Sequence, residues 1–175
     1  MSRSLLAPLL FLSALLLGAC TSSDEDTGDA PKKAAAPLAE LHAPATADDL
    51  QWKQYLQQVV SRNMNGVTDR VFPYYLPANS SVPTPGDAEN RSQFDRQLEN
   101  VTAVVTRTVL PGNMLVFGSP DSVKMADLIT GAFTGAKADA LKGSQVLFIG
   151  KPAEQPRVQA AVEAAGAKFI FVEAK

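Results

Sequence analysis

The side chains best placed to hold a small anion are Ser119, Ser122 and Lys151. Ser119 and Ser122 lie in the turn Gly118-Ser119-Pro120-Asp121-Ser122, and Lys151 follows Gly150 in the turn Gly150-Lys151-Pro152. Each turn follows a short apolar run and precedes a helical pattern. Helix starts offer free backbone N–H groups and a positive dipole end, and the two hydroxyls and the ammonium group would add to them. Gly118, Ser119, Ser122, Gly150 and Lys151 therefore form a candidate ligand or phosphate site, which could also serve an enzyme. The same residues have a plainer use. Ser119 suits an N-cap, Pro120 suits the first helical position, and the glycines suit tight turns. No GxGxxG or GxxxxGK[ST] phosphate loop is present, and Gly-Ser-Pro-Asp-Ser is not a GxSxG nucleophile elbow.

The residue census removes most other chemistries. The chain has 175 residues with a single Cys and a single His. It can form no internal disulfide and no multi-cysteine zinc or iron–sulfur site. A Ser-His-Asp triad would have to borrow His42, which lies in a segment with no apolar periodicity. Ser122 and Lys124 are two apart on a helix and do not face each other. No EF-hand spacing occurs, and nothing singles out a carboxylate pair for acid–base work. With 16 basic and 18 acidic residues the net charge is −2, which argues against a nucleic-acid binder. No catalytic residue, metal or cofactor is implied, and the balance tilts away from an enzyme.

The lone cysteine has a different meaning. Arg3 and the amino terminus give a positive start, and Leu5–Leu17 is a 13-residue apolar stretch broken only by Pro8 and Ser13. A spanning helix needs about 20 apolar residues, so this run suits an export signal rather than a membrane span. It ends in Leu17-Gly18-Ala19-Cys20. That tetrapeptide resembles the lipobox of bacterial lipoproteins at all four motif positions. The resemblance covers only the first 20 residues. It implies cleavage before Cys20 and acylation of the Cys20 thiol, with palmitate-like chains holding the protein to a bilayer. Two or three chains give stable anchoring at about 0.8 kcal/mol per buried CH₂, where one gives only marginal affinity. Thr21 stands where inner-membrane lipoproteins often carry Asp, so the resemblance further implies the outer membrane, facing the periplasm. Cleavage removes Arg3 alone among charged residues, leaving 15 basic against 18 acidic groups and a net charge of −3.

Residues 21–47 are rich in Ala, Pro, Ser, Thr and Asp. Such a composition buries too little surface to offset its ordering entropy. They read as a flexible tether, with a root-mean-square reach of about 30 Å if coil-like. The expected organisation is a signal peptide at 1–19, lipidated Cys20 and tether at 20–47, and one domain at 48–175.

Two helices open the domain. Over Ala47–Arg62, Trp52, Tyr55, Leu56, Val59 and Val60 share one face, with Thr46 as a plausible N-cap. Over Ala88–Thr106, Phe94, Leu98, Val101 and Val105 recur at helical spacing, with Asp87 suited to cap. The β-branched run Val101–Val109 also suits a strand, in which case Leu110-Pro111-Gly112-Asn113 would close a hairpin. The reading kept is a helix followed by a Pro-Gly reversal.

Between these helices, Val67–Asn90 carries Pro73, Pro77, Pro83 and Pro85, which argues against a long helix or a central strand. Phe72, Tyr74 and Tyr75 sit in its proline-framed loop Val71–Pro77. They either pin the loop to the core or form a contact surface for a partner.

The rest reads as strand Met114–Phe117, helix Pro120–Phe133, strand Gln145–Ile149, helix Ala153–Ala165 stopped by Gly166, and strand Lys168–Val172. The expected fold is thus α/β, a small parallel sheet of about three strands in β-α-β-α-β order, preceded by two helices and a Pro-rich loop. Ligands in such sheets bind beyond the carboxyl ends of the strands. The expected role is a lipid-anchored, non-catalytic envelope protein that binds a protein partner, as an assembly factor or an inhibitor or immunity-like protein. The alternative is a small-molecule or phosphate-binding protein with its site at the strand ends.

Overall fold

The computed structural model describes residues 39–175. The signal peptide, Cys20 and the tether up to residue 38 lie outside the described residues. Helix α1 (Asp49–Arg62) starts where the Asp48 carboxylate accepts from the Gln51 N–H at 2.8 Å, so Asp48, not Thr46, is its cap. Helix α2 (Gln93–Val105) begins at a capping box. The Ser92 hydroxyl accepts from the Asp95 N–H, and the Asp95 carboxylate accepts from the Ser92 N–H. The β-branched run stays helical through Val105 because Val101 and Val105 are fully buried there. Tertiary burial overrides the local preference.

The sheet has four parallel strands, β1 (Val71–Tyr75), β2 (Met114–Gly118), β3 (Gln145–Gly150) and β4 (Lys168–Glu173). They lie in the order β1-β2-β3-β4. The expected count of about three strands is therefore one short. The extra strand, β1, comes from the proline-framed segment. It lies at the edge, where a proline can be accommodated. Met114 N–H donates to Arg70 C=O and Leu76 N–H donates to Gly118 C=O. In a parallel ladder this turns the backbone groups of residues 70, 72, 74 and 76 toward β2 and those of 71, 73 and 75 outward. Pro73 thus sits where its missing N–H would have faced solvent.

Helix α3 (Ser122–Phe133) joins β2 to β3, and a 3₁₀ turn (Pro152–Glu154) leads into α4 (Gln155–Ala164) before β4. Alternation along the buried strands separates two cores. Leu115, Phe117, Val146 and Phe148 face α2, α3 and α4. Met114, Val116, Leu147 and Ile149 face α1. All three crossover helices lie on one face, and α1 is the helix on the other.

Residues 39–47, assigned by composition to the tether, are laid on the domain. Ala43 N–H donates to Lys175 C=O at 2.7 Å, Arg62 reaches Ala39 C=O, and Trp52 Nε1 donates to Thr46 C=O at 3.0 Å. Leu41 and Ala43 pack into the α1 core, while His42 is exposed.

Candidate functional site

The fold brings the predicted anion-site residues together at the exits of β2 and β3. Ser119, Ser122 and Lys151 line a crevice of about 430 Å³ whose opposite side is the segment 43–47. Their polar atoms bond to the protein itself. Ser119 Oγ accepts from the Asp121 N–H at 3.0 Å, and Ser122 Oγ accepts from the Lys151 N–H at 2.8 Å. Lys151 Nζ donates to Ala174 C=O at 2.7 Å. The α3 start is capped by Asp121, whose carboxylate accepts from the Lys124 N–H at 2.9 Å. Ser119, which suits that role by sequence, instead accepts from the backbone of the capping residue itself. The Asp121 carboxylate lies where an anion would sit on the helix dipole, and its charge opposes a second anion.

The two glycines answer to packing. A β-carbon at Gly118 would collide with Leu56 of α1, and one at Gly150 would collide with the Phe148 ring and lie 2.6 Å from Ser122 Oγ. The topology adds a further reason. Ligand crevices open where strand order reverses and neighbouring connections leave to opposite faces. Here the strand order runs without reversal and α2, α3 and α4 share a face.

The three aromatics of the β1 segment do not form one surface: strand alternation sends Tyr75 to the α1 face, while Phe72 and Tyr74 share the α2 side and differ in burial. Phe72 is exposed. Of the two roles open to Tyr74, core pin or partner contact, its burial fits the first: it is stacked on Phe117, with ring centroids 4.9 Å apart and planes at 15°. Tyr75 points to the α1 face. Its hydroxyl donates to Asp49 Oδ1 at 2.8 Å, and Lys53 Nζ lies 5.4 Å from its ring centroid. Burial first, and then the hydrogen bond to the Asp49 carboxylate, push the Tyr75 phenol well above its ordinary range. Desolvation also raises Tyr55 and Tyr74.

A larger groove, of about 920 Å³, runs between the open edge of β1 and α2. Its lining includes Arg70, Arg91, Arg96 and Arg107, over apolar ground formed by Phe72, Val104 and Leu110. Among the described residues the other arginines are Arg62 and Arg157 only, and no lysine lines this groove. At one end, Arg91 pairs with Glu89 at 2.9 Å and with Glu99 at 3.3 Å. Arg96 pairs with Asp87 at 3.1 Å and donates to Thr84 Oγ1 at 2.7 Å. The Arg91 N–H above all, aided by the Glu89 N–H and the Arg91 and Arg96 guanidiniums, holds the Asp87 carboxyl below its ordinary range. At the other end, where β1 begins and α2 has ended, Arg70 has only its neighbour Asp69 at 3.9 Å. Arg107 has no ion pair among the described residues.

Sequence reasoning did not find this groove, although a signal was there. Arg96 and Asn100 fall at i and i+4 on one face of α2, and Arg107 follows just past its end.

Among the described residues no group of His, Cys, Asp or Glu is placed to hold a metal ion, and no helix is long and apolar enough to cross a membrane. In comparisons with known proteins, no family model, no curated protein and no solved structure matches this chain.

Proposed function

We propose that this chain is a lipid-anchored protein of the bacterial outer membrane, facing the periplasm, whose domain binds a protein partner and does not catalyse a reaction. The observation that carries the reading is the position of the single cysteine. The only thiol in 175 residues, Cys20, closes the lipobox-like Leu17-Gly18-Ala19-Cys20 after an apolar export signal. The strand-end crevice supports a non-catalytic role, since its serine hydroxyls accept from the Asp121 and Lys151 N–H groups and Lys151 Nζ donates to Ala174 C=O.

The test is metabolic labelling with a palmitate analogue, followed by membrane fractionation. The wild-type chain takes up label and partitions with the outer membrane. Cys20→Ser loses both. A wild-type chain that stays unlabelled overturns the anchor. Crosslinking in intact envelopes tests the partner role, and a failure to capture any reproducible protein counts against it.

A further inference from the structure

We propose that the groove between β1 and α2 receives an extended segment of the partner protein, acidic at the end seated between Arg70 and Arg107 and apolar where it crosses Phe72, Val104 and Leu110. This rests on the protein-binding reading and names the chemistry of the partner.

Charge distribution is the first argument. The mature chain is net acidic at −3, yet this groove gathers four guanidiniums against Asp69 and Glu99 in its lining. Arg91 and Arg96 are largely occupied by Asp87, Glu89 and Glu99, so the uncompensated charge lies at the Arg70–Arg107 end. Guanidiniums present planar, forked donors that match carboxylates.

Groove length is the second. From Arg96 to Val105, where α2 ends, the helix covers about 14 Å, which matches about four residues of extended peptide, and Arg107 lies beyond that end. A lone small anion would use one end only. An acyl chain would meet Arg96, Glu99 and Asn100 along the wall, an unsuitable lining for hydrocarbon. A peptide can satisfy those polar groups while burying its own apolar side chains on Phe72 and Leu110, both exposed in the free protein. Strand addition to β1 is handicapped, because Pro73 offers no outward N–H. Recognition therefore runs through side chains, and affinity falls with rising salt.

The experiment pans a display library of random peptides against the mature lipoprotein in neutral detergent micelles. Enriched peptides are expected to pair Asp or Glu with adjacent apolar residues. Their binding should weaken about tenfold in Arg70→Gln/Arg107→Gln and stay unchanged in Lys168→Gln, an exposed charge outside the groove. Enrichment without acidic bias, no enrichment, or unchanged binding in the double variant overturns the proposal. Equal displacement by dispersed phosphatidylglycerol also overturns it and assigns the groove to lipid. A mass measurement of the lipid on Cys20 reads the anchor separately, so failure of the groove and failure of the anchor are distinguishable.

Discussion

Tyr74 and Phe117 are direct partners in the β1–β2 register, and their rings stack 4.9 Å apart. This pair ties the edge strand to the core shared with the crossover helices. It also divides the aromatic segment into one core residue and two peripheral ones.

Truncating Tyr74 therefore removes core, whereas truncating Phe72 removes surface. Tyr74→Ala is expected to cost about 3–5 kcal/mol, within the range for large buried aromatics. Phe72→Ala is expected to cost less than about 1 kcal/mol. Urea unfolding of both variants checks the contrast, and equal losses would contradict this placement of β1.

All three tyrosines of the chain have raised phenols, chiefly through burial, with Asp49 adding to the effect at Tyr75. Tyrosinate absorbance of the folded protein should therefore rise only above the ordinary value of about 10. The sign for stability follows. Above that pH the unfolded chain releases phenolic protons that the folded chain keeps, so stability is full below it and declines as pH rises beyond it. Tyr75→Phe should lessen the alkaline decline. A titration at the ordinary tyrosine value in the folded protein would count against the burial of these rings.

Pro73 leaves the free edge of β1 without its central donor. Pro73→Val restores a donor and a strong strand former, and it should promote edge-to-edge self-association. Light scattering across a concentration series reads this directly. A variant that stays as monodisperse as the wild type would show that other features protect the edge.

At the strand exits, Ser122→Ala removes the acceptor for the Lys151 N–H and should cost about 1 kcal/mol. Gly118→Ala forces a β-carbon against Leu56 and should cost about 1–3 kcal/mol by overpacking. If the crevice is structural, thermal melts of the wild type in phosphate, nucleotide or sugar should match those in buffer. A ligand-dependent rise that Lys151→Ala abolishes would instead favour a binding site there.

Local patterns in the sequence announced much of this protein. The apolar faces of α1 and α2 follow helical periodicity, and the runs Met114–Phe117 and Gln145–Ile149 are long enough and apolar enough to require burial on both faces. The reversal after α2 is carried by Gly112 at φ 83°, and α4 stops at Gly166, also at φ 83°, a backbone region glycine enters without strain. The proposed lipid anchor likewise rests on a local signal, the four adjacent residues Leu17-Gly18-Ala19-Cys20.

Tertiary structure alone decided the rest, because the deciding partners are distant in sequence. Val71–Tyr75 becomes a strand only because β2, more than 35 residues later, offers it a ladder and Phe117 offers Tyr74 a ring. Strand order is written in no local pattern, yet it puts the crossover helices on one face and removes the strand-order reversal at which a ligand crevice would form. The arginine groove needs Arg70 before β1 and Arg91, Arg96 and Arg107 across the crossover to arrive on one edge. Sequence spacing sets which residues share a helix or strand face. Only the packing of those faces sets which charges meet.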